Sequence, residues 1–257
     1  MNVDILSDTH IHTSLCRHAS GTMEDYVVSA IDQGLKRLVF LEHLEEGINA
    51  HVRSWLTEEE FDQYFEEGHR LQRRYAGRIE IGIGVEVGYN PDCPDRILKR
   101  LGRRKWDRVG LSCHFFKMDG HDEHLNVLSN NQRNIDFVER YGDRRLLSRY
   151  FETLTEAVQT IPADVLCHLD AGLRHQPNLY LDDSHWQQID TLLGKVKQAS
   201  MALEINTSGY KYRGLPFPLP EIIALARDKS IPMALGSDAH SPSEVGRYFD
   251  KIPSLLG

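Results

Sequence analysis

Cysteine is scarce in this chain. Among 257 residues there are four cysteines, Cys16, Cys93, Cys113 and Cys167, and no two of them are spaced as Cys-x-x-Cys. This argues against a disulfide framework, which needs dense, paired cysteines. We predict reduced thiols that pack as small apolar residues, as is usual in cytosolic proteins.

Long apolar runs are also missing. No window approaches the ~20 apolar residues of a membrane span, and the N-terminus lacks the basic patch and apolar segment of an export signal. The sequence therefore predicts a cytoplasmic protein without a membrane partner.

Positively charged residues are fewer than negatively charged ones. The chain has 30 Lys and Arg against 38 Asp and Glu, a net charge of -8. Nucleic acids are bound by basic surfaces that neutralise their phosphates, so we predict no nucleic-acid partner. A small anion in a local basic or metal pocket remains compatible with this balance. Nothing in the composition sets the oligomeric state.

Linkers and low-complexity segments are absent as well. A chain of this length buries one large core, and α/β barrels of this size are usually single units. We predict one domain over residues 1–257.

What is present begins with the segment 4–12. In an extended strand, Asp8, His10 and His12 project from the same face, because side chains alternate with period two. Imidazoles are ligands for zinc, manganese and iron. A single His-x-His is also common on an ordinary polar face, so a metal site needs support from the rest of the chain.

Six further apolar runs follow, and helical patterns separate most of them. The runs cover residues 38–41, 79–87, 108–114, 163–170, 201–206 and 231–236. Parallel strands joined by crossover helices produce this alternation, and a sheet of that kind closes into a barrel. The predicted fold class is α/β, a barrel with seven strands.

Metal-competent side chains stand at the C-terminal ends of these strands, where the chemistry of such barrels is located. They are His10, His12, His18, Glu42, His43, Glu86, His114, His168, Asp170, Asp238 and His240. So many titratable groups at one rim need cations to hold them together, which indicates more than one metal ion. Glu86 has two oxygens and is suited to bridge a pair of ions.

These motifs resemble those of the polymerase and histidinol phosphatase (PHP) superfamily, in their order and over nearly the whole chain. The motifs are Asp8-x-His10-x-His12, Glu42-His43, Glu86, His114, His168 and Gly236-Ser237-Asp238-Ala239-His240. Cys16-Arg17-His18 and the segment 203–209 resemble the histidinol-phosphate phosphatase branch. The resemblance implies a distorted (β/α)7 TIM-like barrel and hydrolysis of L-histidinol phosphate to L-histidinol and phosphate in histidine biosynthesis.

The resemblance also implies three divalent metal ions, which are zinc, manganese or iron in the family. One would be held by His10, His12, Glu86 and Asp238. A second would be held by Glu86, His114 and His168, and a third by His18, His43 and His240.

The implied reaction is attack of a metal-bridging hydroxide on phosphorus. We predict that Asp8, Glu86 and Asp238 are the catalytic carboxylates, with Asp8 orienting a histidine or relaying protons. A small phosphorylated substrate also needs fixed cations, and the loops supply Arg17, Arg174, Lys211 and Arg213, with Arg174 the foremost candidate.

Other interpretations stay open at this point. One keeps the metals and changes the substrate to another small phosphomonoester or a nucleotide. A second is a metal-binding or regulatory module without catalysis, and a third is an amidohydrolase-like barrel. Residues Tyr210-Lys211-Tyr212-Arg213 depart from the Leu-Arg-Lys-like continuation of the branch, so substrate contacts there are expected to differ. Six other histidines are predicted to be surface or loop residues: His51, His69, His121, His124, His175 and His185.

Overall fold

Parallel strands dominate the computed structural model, which describes residues 3–117, 122–175 and 180–256. The strands are β1 (Ser7–Ile11), β2 (Arg37–Leu44), β3 (Glu80–Gly88), β4 (Val109–Ser112), β5 (Phe115–Lys117), β6 (His124–Asn126), β7 (Val165–Leu166), β8 (Ala202–Asn206) and β9 (Met233–Gly236). Seven of them form one parallel sheet in the order β1-β2-β3-β4-β7-β8-β9, and β5 pairs with β6 in a separate antiparallel hairpin.

Helices cover the outside of the sheet. They are α1 (Met23–Asp32), α2 (Glu58–Arg74), α3 (Pro94–Leu101), α4 (Gln132–Tyr141), α5 (Asp143–Thr160), α6 (Asp183–Gln198), α7 (Gly209–Arg213), α8 (Pro220–Asp228) and α9 (Ile252–Leu256). Helix α2 begins at a capping box, in which Thr57 and Glu60 satisfy each other's backbone N–H groups. Within the described ranges, no helix combines the length and the apolar character that crossing a membrane requires.

The sheet curls until its first strand meets the segment that follows its last strand. The backbone N–H of His12 donates to the carbonyl of Ala239 at 3.0 Å, and that of Asp238 donates to His10 at 2.9 Å. The predicted seven-stranded α/β barrel is therefore confirmed. Since the sheet takes strands from both ends of the chain, we retain the proposal of a single domain.

Alternation along β2 and β3 decides which side chains enter the barrel. Leu38 and Phe40 pack into the large core under the helices, whereas Val39 and Leu41 form a small separate core with Val165 and Cys167. The same period of two brings His43 to the inner face at the end of β2. On β3 it places Glu86 above two glycines, Gly82 and Gly84, whose missing side chains leave room for the residues of β2.

Two expectations about local structure were wrong, and one element was not expected. Strand β1 begins only at Ser7 and does not extend over the whole segment 4–12, so that Ile5 is 40% exposed. The segment after His114 contains the unexpected hairpin β5-β6, whose strands are three residues long and too short for a recognisable pattern. His185 is buried within the capping box of α6, whereas His121 lies outside the described residues.

Candidate active site

The predicted first set of ligands meets at the C-terminal mouth of the barrel. The Nε2 atoms of His10 and His12 are 3.1 Å apart, and each lies 3.6 Å from Glu86 Oε2. Asp238 Oδ1 lies 3.3 Å from the Nε2 of His12 and 3.9 Å from that of His10. All four side chains are buried. Four ligand atoms from β1, β3 and the loop after β9 thus surround one point.

The second predicted set uses the other oxygen of Glu86. Its Oε1 atom lies 2.7 Å from His168 Nε2 and 3.2 Å from His114 Nε2. Both histidines are buried at the ends of neighbouring strands, β7 and β4. Glu86 is therefore the group that the two sets share, as its predicted bridging role requires.

The third predicted set is also brought together, at the outer edge of the first. The ring centroid of His18 lies 4.6 Å from that of His240 and 5.4 Å from that of His43. The Nδ1 atoms of His18 and His240 each face a backbone carbonyl, that of Cys16 at 2.8 Å and that of Asp238 at 3.0 Å. An Nδ1–H that donates to a carbonyl leaves Nε2 free as a ligand.

Two buried carboxylates that the sequence analysis did not single out as functional orient the ligand histidines. Glu204 Oε1 lies 2.7 Å from the Nδ1 of His10, and Glu45 Oε1 lies 2.7 Å from the Nδ1 of His114. Metal-ligating histidines usually donate their second N–H to such a partner, which fixes the ring and its tautomer. Glu204 stands on β8 and Glu45 directly follows β2. The position of a carboxylate at a strand end is the sequence feature that could have identified these two residues.

Two glycines make room for these carboxylates. A Cβ at Gly236 would lie 2.3 Å from Glu204 Oε1, and a Cβ at Gly88 would lie 2.0 Å from Glu45 Oε1. Any side chain at either position would displace the carboxylate and, with it, the histidine that it orients. The conformation of these strand ends is therefore tied to the ligand geometry.

Backbone strain is found at two of the ligands. His168 has φ 25° and Asp238 has φ 52°, in the left-handed region that non-glycine residues rarely occupy. Each backbone is held in place by a hydrogen bond, from His168 N to Glu204 Oε2 at 2.8 Å and from Asp238 N to the carbonyl of His10. Strain of this kind is concentrated at functional sites, where the surrounding structure enforces it.

Burial and neighbouring charges shift the pKa values of the proposed ligands in both directions. Burial alone would raise the pKa of Glu86, but His114 and His10 hold it well below its usual value. Burial and the neighbouring imidazoles of His43 and His240 lower the pKa of His18 to about 3, and the same causes lower the pKa of His12. The imidazoles of His18 and His12 are therefore neutral at physiological pH, and the neutral form is the one that binds metal. Burial alone would lower the pKa of His114, but Glu86 and Glu45 raise it to about 10, so a metal ion bound there would displace a proton.

The donor set fits divalent metal ions. Ligands about 2.0–2.2 Å from a tetrahedral zinc ion lie about 3.3–3.6 Å from one another, close to the spacing of the first set. Several buried polar atoms of the proposed ligand residues have no hydrogen-bond partner among the described residues: His12 Nδ1, His43 Nδ1, Glu86 Oε2, His168 Nδ1 and His240 Nε2. Orphaned polar atoms are costly, and coordination would satisfy those that face the ions. His10, His12 and Glu86 form one group able to hold an ion, and His43, Glu86 and His114 form another.

A cavity of about 440 Å³ opens above the carboxylates and histidines. Arg174 reaches it with a side chain that is 12% exposed, and its Nη2 lies 3.6 Å from Asp238 Oδ2. Within the ranges that the structure describes, the Nε and Nη2 atoms of Arg174 have no hydrogen-bond partner. Lys211 also lines the cavity, together with Arg247, which the sequence analysis did not identify. The wall of the cavity therefore carries three cationic side chains, of which Lys211 and Arg247 both pair with Glu244.

Two predicted substrate-binding cations lie elsewhere. Arg17 is half exposed and pairs with Glu60 at 2.7 Å, and Arg213 pairs with Asp170 at 2.9 Å. Neither residue lines the cavity as described. The structure thus places these two side chains on carboxylates that are distant in sequence, and their predicted contact with the substrate stays a prediction.

Three predicted carboxylates lie beside the ligand set and bond to backbone. Asp8 accepts the N–H groups of Ser237 and Gly246 at 2.9 and 2.8 Å, and burial raises its pKa to about 6. Glu42 accepts the N–H of Thr13, and burial raises its pKa to about 8. These contacts place Asp8 and Glu42 as residues that fix loops. Asp170, which is fully buried, belongs to a neighbouring cluster that includes Arg213.

The sequence matches known proteins along its length. The PHP domain model matches residues 8–208, and the PHP-associated model matches residues 220–253. The chain belongs to the PHP family. It is 33% identical to a probable histidinol-phosphatase of Deinococcus radiodurans, over 97% of this chain and 92% of that protein. It is 27% identical to the histidinol-phosphatase of Bacillus subtilis, over 95% and 96% of the two chains. The resemblance inferred from the motifs is confirmed.

Solved structures share the fold. A putative histidinol phosphatase from Listeria monocytogenes superposes with a TM-score of 0.85 at 22% identity, over 95% of this chain and 99% of that one. The histidinol phosphate phosphatase of Lactococcus lactis, solved in complex with zinc, L-histidinol and phosphate, superposes with a TM-score of 0.79 at 19% identity, over 97% and 92% of the two chains. The barrel is therefore that of the PHP family.

Proposed function

We propose that this PHP protein is a metal-dependent phosphomonoesterase that hydrolyses L-histidinol phosphate to L-histidinol and phosphate. The observation that carries the proposal is the position of Glu86, whose two oxygens face two separate sets of ligands. Sites that clamp a phosphoryl group between two ions have this arrangement. The relatives named histidinol-phosphatase align with nearly the whole chain and support the choice of substrate.

We propose three divalent ions, held by the three ligand sets described above. Zinc is a candidate for these sites, because imidazole and carboxylate suit it and because the Lactococcus relative was solved with zinc. Ions held there would supply Lewis acidity toward the phosphoryl group and toward water. As an enzyme of amino-acid biosynthesis, the protein would act in the cytoplasm on a small substrate, without a nucleic-acid partner.

The residues of the chain contribute positioning and charge. Glu86 and Asp238 are the proposed catalytic carboxylates, since both belong to the first ligand set. Arg174 lines the cavity and carries two donor atoms without a hydrogen-bond partner among the described residues, so its guanidinium is the proposed ligand for phosphate oxygens. Lys211 adds a second cation at the same wall. Asp8 would support catalysis indirectly by fixing the loop that carries Asp238.

Phosphate release from L-histidinol phosphate by metal-loaded protein is the test. We expect turnover that a chelator abolishes and added zinc or manganese restores, with a total metal count of three per chain. A panel of other phosphomonoesters and nucleotides serves as the comparison. Release confined to those esters would retire the histidine-pathway assignment, and failure to release phosphate from any ester would refute the enzymatic proposal.

A further inference from the structure

Arg174 is held by two aromatic rings. Its guanidinium carbon lies 4.5 Å from the ring centroid of Tyr212 and 5.3 Å from that of Phe217. We call these two rings the aromatic clamp. A guanidinium stacked on ring faces is fixed in its plane, whereas its N–H edge stays available to a phosphate. The orientation of the Arg174 guanidinium therefore depends on the position of the aromatic clamp.

The aromatic clamp is held in turn by a buried ion pair. The guanidinium of Arg213 lies 4.2 Å from the ring centroid of Phe217, on which it stacks. Its Nη2 donates to Asp170 Oδ1 at 3.1 Å and lies 2.9 Å from Asp170 Oδ2, and its Nε donates to the carbonyl of Pro216 at 3.2 Å. Asp170 also accepts the backbone N–H of Leu219 at 3.0 Å.

The carboxylate of Asp170 thus joins three segments, and these segments carry Arg174 and the two rings of the aromatic clamp. Asp170 lies four residues before Arg174, Arg213 directly follows Tyr212, and Leu219 lies two residues after Phe217. Asp170 is completely buried, and the side chain of Arg213 is 18% exposed. A buried, hydrogen-bonded ion pair fixes geometry strongly, because removal of one partner leaves the other charge uncompensated.

We propose that Asp170 is a positioning residue for phosphate capture, acting through Arg213 and the aromatic clamp to aim Arg174 at the phosphate. Within the described residues, its carboxylate is engaged by Arg213 and Leu219, so it acts on the ligand through Arg174. This inference rests on the proposed function only in taking phosphate as the ligand of the cavity.

The test is a double-mutant cycle read out by binding of inorganic phosphate to metal-loaded protein, measured by calorimetry without turnover. We expect Asp170→Asn to weaken phosphate binding about tenfold, because a small misplacement of a clamping arginine is costly. In the Arg174→Ala background, Asp170→Asn should have no further effect. An unchanged phosphate affinity in Asp170→Asn, or a loss that adds in full to that of Arg174→Ala, would overturn the proposal.

The metal content of Asp170→Asn distinguishes a role in positioning Arg174 from damage to the nearby proposed ligand His168. Asp170→Asn should bind as many metal ions as the wild type, and a reduced count would contradict a role through Arg174. Asp164→Asn is the matched control, since that carboxylate accepts the N–H of Val109 at 2.7 Å at the opposite end of the barrel. Its phosphate affinity should equal that of the wild type.

A second variant covers the case in which Asp170→Asn does not fold. Tyr212 is 41% exposed, so its replacement is tolerated at the surface. Tyr212→Phe keeps the ring and should keep phosphate affinity, whereas Tyr212→Ala removes one face of the aromatic clamp and should weaken binding severalfold. Equal affinities in these two variants would refute the clamp. Because no measurement here requires hydrolysis, absence of activity on histidinol phosphate would leave the test intact.

Discussion

Glu45 and His114 form a buried pair in which the carboxylate oxygen lies 2.7 Å from the histidine Nδ1. The opposite ring nitrogen faces Glu86, so Glu45 fixes the ring in the orientation that a metal ligand needs. We expect Glu45→Ala to weaken metal binding about 10- to 100-fold, the usual cost of losing such a partner. Competition with a chromogenic chelator measures this affinity.

Two variants make the Glu45 prediction specific. Glu45→Gln retains an acceptor oxygen for His114 and should lose less metal affinity than Glu45→Ala. Glu46→Ala is the control, because the neighbouring side chain pairs with Arg96 and Arg100. Wild-type metal affinity in Glu45→Ala would show that the pair does not support the site.

Glu86 should be indispensable for both metal binding and turnover. Each of its oxygens faces a different ligand set, so Glu86→Ala would remove a ligand from two of the proposed ions at once. We expect phosphate release to fall by more than about 10²-fold, comparable with the loss of a single oxyanion donor. Elemental analysis should find fewer metal ions per chain. Full activity with a full metal count would refute the bridging role.

Substitutions of Arg174 and Arg17 test which of these two predicted arginines binds the phosphate. Arg174→Ala should lower kcat/KM by about 10²-fold, and Arg174→Lys should recover only part of it, because an ammonium group cannot make a bidentate contact. Arg17 pairs with Glu60 away from the cavity, so Arg17→Ala should change kcat/KM less than threefold, if at all. Steady-state kinetics with L-histidinol phosphate decide between them, and the reverse order of effects would show that the phosphate lies near Arg17.

The clustering of the proposed ligand histidines and carboxylates was predictable because strand ends in a parallel barrel share one rim. His43 and Glu86 end apolar runs whose alternation turns them inward, and this information is local to the sequence. Glu45 and Glu204 were not assigned their roles, because their partners depend on the register between strands and on the space left by Gly88 and Gly236.

The cations were harder to predict for a different physical reason. Arginine side chains are long, and their partners are set by tertiary contacts with residues far away in sequence. Arg213 lies 43 residues from Asp170 and Arg17 lies 43 residues from Glu60, so neither pairing leaves a sequence pattern. Arg247 has partners nearby in sequence, Glu244 and the carbonyls of Ser237 and Asp238, and it was missed because it belongs to none of the recognised motifs. Arg174 was identified from its loop, but its aromatic neighbours were not.

Away from the site, Glu58 should contribute stability that depends on pH. Partial burial alone would raise its pKa, but hydrogen bonds from Arg104 and Arg100 lower it to about 2, from an ordinary value of 4.5. A lowered pKa in the folded state means that stability is fully present above pH 4.5 and is lost as the pH falls toward 2. After discounting for solvent exposure, this pH-dependent contribution to the free energy of unfolding is about 1–2 kcal/mol.

Glu58→Gln should remove this contribution. Urea unfolding in the presence of a chelator excludes competition between protons and metal ions, so the stability difference between wild type and Glu58→Gln reports on Glu58 alone. We expect this difference to be largest near pH 6 and to shrink as the pH falls from about 4.5 toward 2. Glu59→Gln, at the exposed neighbouring position, is the control and should follow the wild-type curve. A difference between wild type and Glu58→Gln that stays constant with pH would show that the arginines around Glu58 stabilise the fold without selecting its charged form.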